Sequence, residues 1–474
     1  MTSHTYRSKI PQLVFSLQTL ALFLLGSCSR IDHKQSALDP KGLVAQNQYD
    51  IFMLSVWITI FLFCAVGGCL LFVLWKYRAK SKEEAMEIPE QMHGSSKIET
   101  TLIIASAVIL VILAVPTLQG VVLMNRVPDP NDQATLEKLK LDKSQIEDAI
   151  TVNVTGKRFF WVFEYPQYGI VTANELVFPA SKAVRVNLRT EDVIHSFWLP
   201  KLAGKMDLMP GQENFLWFIA DEQKIRSGID KDGNPYEVDA KTAMPSVFDG
   251  KMRQTIFAKQ AFTDEFEAVG GLFYGQCAEY CGNSHAYMSF RALAQTDEDF
   301  EKWVLKFRNA QNPNLQPTAY SAENTYEEGT VVTYTDEQLG ENNRREFRAL
   351  KATAKGQTPV TKPDAWEKVH SDDYEKGKIL FGTQGCAQCH AINKTGIGAK
   401  GPNLTLFGLR TSLAAGWMRN DEDSLDKWLR NSNEIKFGNL MWNGEGIDDR
   451  HPLRQLQDDD EKVSQLVTYL LGLK

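Results

Sequence analysis

The sequence predicts a multidomain chain: a two-helix transmembrane hairpin, an all-β sandwich and an all-α C-terminal domain, in that order. Three observations predict it. Two long uncharged runs, Ile51 to Trp75 and Thr100 to Asn125, each exceed the roughly 20 residues needed to cross a bilayer core. From residue 150 the pattern changes to short β-branched and aromatic runs, with alternation in VRVNL (Val184 to Leu188); this is the pattern of an antiparallel sandwich. Near the C-terminus, CAQCH (Cys386 to His390) is followed by apolar residues at helical spacing in DDDEKVSQLVTYLLGLK.

At 474 residues the chain is too long for one ordinary domain of about 100 to 200 residues. The 43% hydrophobic fraction and the net charge of -7 resemble a soluble protein, but the average conceals apolar residues gathered near the N-terminus. A mild acidic excess argues against nucleic acid as a partner, because phosphate binding needs clustered Lys and Arg. The seven cysteines divide into Cys28, the pair Cys64 and Cys69 in an apolar run, the pair Cys277 and Cys281, and the pair Cys386 and Cys389.

Residues 1–28 carry Arg7 and Lys9, then an apolar run from Leu13 to Leu25, then LGSC. A run of this length ending in small residues reads as a secretory signal rather than a span. The LGSC ending resembles a bacterial lipobox, which would make Cys28 the lipid-modified first residue of a mature lipoprotein; the alternative is an ordinary signal with an incidental cysteine. The hairpin is placed at 45–126. Its loop carries Lys76, Arg78, Lys80 and Lys82, so the positive-inside rule puts the loop in the cytoplasm and the later domains outside. Glu99 opens the second helix, where an acid complements the macrodipole.

The sandwich is placed at 150–308, with a polar insertion at about 221–270. Within it, IDKDGNPYEVD lacks the glycine and glutamate positions of a calcium loop and reads as a hairpin turn. The stretch GQCAEYCGNSHAYM (Gly275 to Met288) combines thiols, imidazole and thioether, ligands that select copper or zinc over hard cations. Two cysteines are too few for a closed structural zinc site, so copper leads; a disulfide or two buried thiols are the alternatives. Residues 309–365, rich in Asn, Pro, Thr, Glu and Gly, read as a linker with a helix near Asp336 to Lys355.

The last domain is placed at 366–474. C-x-x-C-H is the attachment signature of a c-type haem, with Cys386 and Cys389 as thioether positions and His390 as an axial ligand. Met441, in KFGNLMW, is the second axial candidate and Met418 its competitor; Met/His ligation raises the potential into an electron-transfer range. The segment resembles class I cytochromes c, and the resemblance implies that Leu466, Tyr469 and Leu470 pack on a helix containing Gly377 and Phe381.

C-x-E-x-C-G-x-x-H-x-x-M closely resembles the binuclear copper (CuA) loop of cytochrome c oxidase subunit II, and DVIHSFWLP (Asp192 to Pro200) resembles the upstream histidine motif of that family. HGSSKIE (His93 to Glu99) is similar to the family's H-x-N-x-x-x-E, with Ser95 in place of asparagine. In domain order the chain resembles subunit II with a fused cytochrome c, the caa-type haem-copper oxidase arrangement. The resemblance implies a cupredoxin sandwich and a class I cytochrome c fold. It implies copper ligation by His195, Cys277, Cys281, His285, Met288 and the Glu279 carbonyl, a magnesium ion held by the Glu279 carboxylate at a subunit interface, and a proton-channel mouth at Glu99. Family members often have tryptophan where this chain has Phe159. The function implied is that of the electron-accepting subunit of a proton-pumping cytochrome c oxidase, with no catalytic residues of its own. Its partners would be the catalytic subunit I and other oxidase subunits, a soluble cytochrome or other one-electron donor, and the bacterial plasma membrane. A copper-bearing subunit of a nitric oxide reductase is the alternative.

Overall fold

A computed structural model describes residues 35–86, 88, 94–229, 235–248, 270–312, 316–335, 344–393, 400–444 and 451–474. Cys28 and the signal-like segment lie outside the described residues. The chain forms two compact units, residues 1–146 with 200–204, and residues 147–199 with 205–474.

In the first unit, α1 (Leu43–Lys76) and α2 (Ser96–Met124) are 34 and 29 residues long, with mean hydropathy 2.5 and 2.6 in their most apolar windows. Both are long and apolar enough to cross a membrane. They pack on each other, and Gly120 permits the approach: a Cβ there would lie 2.7 Å from Asn47 Oδ1. Small residues serve this purpose between membrane helices. Pro116 lies inside α2.

The second unit begins with a sandwich of two five-stranded sheets. Its strands are β1 (Ile150–Lys157), β2 (Phe160–Tyr165), β3 (Ile170–Ala173), β4 (Glu175–Pro179), β5 (Val184–Thr190), β6 (His195–Trp198), β7 (Lys205–Leu208), β8 (Asn214–Phe218), β11 (Leu272–Cys277) and β12 (Ser289–Gln295), while β9 (Ser227–Ile229) and β10 (Pro235–Glu237) form a separate pair. One sheet has the order β3-β2-β1-β5-β8 and the other β4-β12-β11-β6-β7. Alternation holds well, as β5 buries every second residue. The sheets are mixed rather than antiparallel, however, because β1 runs parallel to β5 and β12 parallel to β4. Period-2 alternation assigns faces but carries no information about strand direction. Between the sheets, Trp161, Phe163, Phe197 and Phe290 are fully buried, with Phe197 stacked on Phe290 at 4.6 Å.

Within the insertion, β9 and β10 pair antiparallel, so the segment makes a hairpin whose turn lies outside the described residues. Gln295 ties the insertion to the sandwich by accepting from Val247 N at 3.0 Å and donating to Pro245 O at 3.1 Å. Helix α3 (Asp297–Gln311) follows, capped by Thr296, and buries Phe300, Trp303, Val304 and Phe307. That spacing is one helical face.

Where it is described, the segment expected to be a linker with a helix forms a small β-sheet; residues 336–343, the start of the expected helix, lie outside the described residues. Strands β13 (Thr318–Ala319), β14 (Val331–Thr335), β15 (Arg344–Ala349) and β16 (Trp366–Lys368) form it in that order. Its core is Tyr326, Val332, Ala349, Ala365 and Trp366. The charged run RREFRA has poor strand composition by itself; pairing with β14 and β16 and burial of Ala349 override local preference.

The C-terminal part contains α4 (Asp372–Thr383), α5 (Glu422–Ile435), α6 (Leu440–Asn443) and α7 (Asp460–Gly472). Ser371 caps α4 and Asp459 caps α7, each side chain accepting a first-turn amide. In line with the resemblance to class I cytochromes c, Phe381 meets Tyr469 with ring centroids 5.8 Å apart, and Gly377 lies where α4 crosses α7. A Cβ at Gly377 would come 2.0 Å from Gln465 O. Gly377→Ala is therefore expected to destabilise this domain by about 1–3 kcal/mol or more through overpacking. Gly382, on the same helix with open space around it, should gain up to about 1 kcal/mol on replacement by alanine. Urea unfolding followed by haem absorbance checks both, and equal midpoints for the two variants would contradict the crossing.

Candidate functional site

Strand pairing brings the soft ligands together. Strand β6 opens with His195 and β11 closes with Cys277, and the two are antiparallel, with Cys277 opposite Phe197. The loop after β11 turns back at Gly282, whose φ is +123°, a value that favours glycine. Its closure is fixed by Cys277 N donating to Met288 O at 2.9 Å and Ala278 N to Ser196 O at 2.9 Å.

Cys277 Sγ lies 3.9 Å from Cys281 Sγ, far beyond the ~2.05 Å of a disulfide, and both thiols are free and buried. His195 Nδ1 is 3.8 Å from Cys277 Sγ, and His285 Nδ1 is 3.6 Å from Cys281 Sγ. Met288 Sδ is 3.8 Å from Cys281 Sγ, and the Glu279 carbonyl oxygen 3.2 Å from Cys277 Sγ. Two central sulfurs are thus flanked by one imidazole each, a thioether and a carbonyl. Among the described residues, His195, Cys277 and Cys281 are the one cluster of three His, Cys or acidic side chains with ligand atoms within 4.8 Å of one another. This donor set fits soft metal ions.

The electrostatics point the same way. Hydrogen bonding from the Cys281 thiol, with help from His195 and despite burial, pulls Cys277 down to about 4. Cys281, donating to that thiolate, is pushed up. The pair therefore shares one proton, and a metal that displaces it gains two thiolates. Burial works against protonation of His195, but hydrogen bonds to Asp192 and Cys277 outweigh it and raise the imidazole.

Asp192 orients that imidazole, its Oδ1 2.9 Å from His195 Nε2. It is itself held by amides of Arg158 at 2.8 Å and Val193 at 2.7 Å. Although burial opposes it, these hydrogen bonds keep Asp192 well below the usual carboxylate range. Partners of this kind set tautomer and ring orientation, and their loss typically costs 10–100-fold in metal affinity. Asp192→Ala is accordingly expected to weaken copper binding by about 10–100-fold without altering haem attachment, as read by copper titration; an unchanged affinity would show that the imidazole is oriented otherwise. The motif DVIHS already held this aspartate, two residues upstream of its histidine's neighbour, but spacing alone did not give it a role.

Two other expected residues stand apart. The Glu279 carboxylate is exposed and accepts from Tyr280 N at 3.1 Å; it joins no cluster of three candidate ligands among the described residues. Glu99 is exposed in the first turn of α2. In the aromatic run, Trp161 is a core residue packed on Phe197 at 5.6 Å, and Phe159 is only 6% exposed.

In the C-terminal part, Cys386 begins a 3₁₀ turn ending at Gln388, with Cys389 as its C-cap. His390 Nδ1 lies 2.8 Å from the Pro402 carbonyl. Donation there leaves Nε2 as the ligand atom. Burial pushes the His390 imidazole down and Cys386 up to about 11, so a neutral imidazole faces the site. Backbone packs closely on that ring, since a Cβ at Gly401 would lie 2.7 Å from His390 Cε1. Arg410 is buried and charge-coupled to His390, and its Nε has no partner among the described residues. Two free cysteines just before a buried, neutral imidazole form a donor set that fits a covalently attached haem. Met441 lies in α6 and Met418 in a two-residue strand; both are partly buried against the domain core.

Three family models match the chain: cytochrome c oxidase subunit II, transmembrane domain, at residues 39–119; cytochrome c oxidase subunit II, periplasmic domain, at 169–230; and cytochrome c at 374–474. The periplasmic match includes His195 and ends inside the insertion. Cytochrome c oxidase subunit 2 of Alkalihalophilus pseudofirmus is 28% identical over 97% of this chain and 96% of its own length. The protein of the same name from Bacillus sp. strain PS3 is 29% identical over 97% of each. Quinol oxidase subunit 2 of Bacillus spizizenii is 25% identical over 78% of this chain and 97% of its own.

Proposed function

Because the chain carries the transmembrane and periplasmic domains of cytochrome c oxidase subunit II followed by a cytochrome c domain, we propose that it is the electron-accepting subunit of a proton-pumping haem-copper oxidase. The observation that carries this reading is the gathering of Cys277, Cys281, His195, His285, Met288 and the Glu279 carbonyl about two sulfurs 3.9 Å apart. These six residues would hold a binuclear copper centre, and Cys386, Cys389, His390 and Met441 a covalent c-type haem. When bound, the two groups supply reversible one-electron transfer at nearly fixed geometry, with dioxygen reduced in a separate catalytic subunit. Residues of this chain do the holding: Asp192 orients His195, Pro402 orients His390, and strand pairing of β6 with β11 fixes the distance between the imidazole and the first thiol. Glu99 is assigned to the mouth of a proton channel; Glu99→Ala with unchanged proton-coupled turnover would return it to the helix-dipole role. The Glu279 carboxylate alone makes no ion site, and magnesium is not included.

In this reading the helices anchor the subunit in the bacterial plasma membrane, with copper and haem on the outer face and a soluble one-electron donor feeding them. Purification in detergent, identification of the co-purifying large subunit and measurement of dioxygen uptake test it. The expected result is a haem-copper oxidase subunit I and uptake driven by reduced cytochrome. Co-purification with a nitric oxide reductase subunit, or uptake driven by quinol alone, would overturn it.

A further inference from the structure

The haem domain and the copper loop meet through buried polar contacts whose residues are distant in sequence. Glu175, 5% exposed at the start of β4, presents Oε1 to four donors: Thr411 N at 2.9 Å, Thr411 Oγ1 at 2.5 Å, Ser412 N at 2.9 Å and Ser412 Oγ at 2.9 Å. A carboxylate so satisfied is a directional and strong acceptor. Lys436, 3% exposed, donates Nζ to Phe159 O at 2.6 Å. Ser284 Oγ donates to Phe437 O, and Arg291 Nη2 to Gly416 O. The ring of Tyr287 meets Trp417 edge-on at 4.6 Å. Gly438, with φ +77°, lies so close that a Cβ there would be 2.5 Å from Asn283 Cβ.

The placement of these contacts is specific. Ser284 precedes the candidate copper ligand His285, and Phe437 lies four residues before the candidate haem ligand Met441, so one hydrogen bond joins the two ligand-bearing segments. Phe159, buried next to the copper loop, is tied through its carbonyl to Lys436 of the haem domain. Such contacts define a single docked arrangement rather than a loosely tethered encounter at high effective concentration.

We infer that Glu175, Ser284 and Lys436 are positioning residues that clamp the haem domain onto the copper loop, so that each electron passes between two fixed sites. The inference rests on the copper and haem assignments above. In the step itself one electron leaves ferrous haem iron, which becomes ferric, and is taken up by the oxidised copper pair; no bond is made or broken. Fixed placement matters because a misplacement of about 1 Å can cost roughly 10²-fold where geometry controls rate.

The test uses full-length holoprotein in detergent. Haem is reduced by a flash, and copper reduction is timed with and without glycerol; hydrogen exchange at Thr411 and Ser412 is measured in parallel, including on metal-free protein. The wild-type rate is expected to be independent of viscosity. Glu175→Ala should slow transfer roughly 10- to 100-fold, introduce viscosity dependence and expose both amides, while haem and copper spectra and potentials stay unchanged. Glu175→Gln, which keeps an acceptor, should restore most of the rate. Thr411→Val, which removes one donor from the other side, should show the same changes more weakly and serves if Glu175→Ala does not assemble. A wild-type rate that falls with glycerol, or a Glu175→Ala rate equal to wild type, overturns the clamp. Exchange in metal-free protein separates the two failures: a missing copper pair with protected amides sinks the functional assignment and leaves the clamp standing.

Discussion

Cys281→Ser is expected to abolish the near-infrared absorbance of a mixed-valence copper pair and to lower donor-driven dioxygen uptake by at least about 10²-fold, taking the upper end of the range for a lost supporting partner as the floor for a lost ligand. The c-type haem spectrum should remain. Cys281 Sγ is the atom on which the site converges, within 3.9 Å of Cys277 Sγ, 3.6 Å of His285 Nδ1 and 3.8 Å of Met288 Sδ. Serine would offer a hard oxygen in place of a soft thiolate, a poor match for copper. A variant that keeps the near-infrared band would show that this sulfur is not shared between two metals.

The second large effect concerns the haem. Met441→His is expected to lower the haem midpoint potential by a few tenths of a volt, since axial ligand identity spans about 0.8 V across haem proteins. The variant haem should then stay oxidised in the presence of a donor that reduces wild type. Met418→Leu should leave the potential near its starting value. Met418 and Met441 are both partly buried against the same core, so redox titration, rather than burial, distinguishes them; a potential unmoved by Met441→His and shifted by Met418→Leu would exchange their roles.

The candidate site residues most legible in the sequence are those compressed into short segments. Cys277 to Met288 and Cys386 to His390 each place several ligand types within a dozen residues, where spacing and chemistry suffice. His195 is 82 residues from Cys277 and was found through its resemblance to a known motif; the structure supplies the reason for the pairing, antiparallel β6 and β11. Glu175 and Thr411, 236 residues apart, have no local signal at all, because a lone glutamate in a strand carries no mark of its partners. Lys436 stands inside KFGNLMW, where nothing in the local sequence marks its burial or its partner. The sheet formed by β13 to β16 is poorly legible because β13 and β16 are two and three residues long and β15 is charged, so that these segments become strands only on pairing. Strand direction in the sandwich was missed because alternation is blind to it.

The most direct measurement of the central claim is the optical and magnetic spectrum of the purified full-length protein after metal quantitation. A c-type haem spectrum is expected together with a mixed-valence copper pair absorbing in the near infrared, two coppers accompanying each haem. Haem with mononuclear copper alone, zinc in place of copper, or no covalent haem would contradict it.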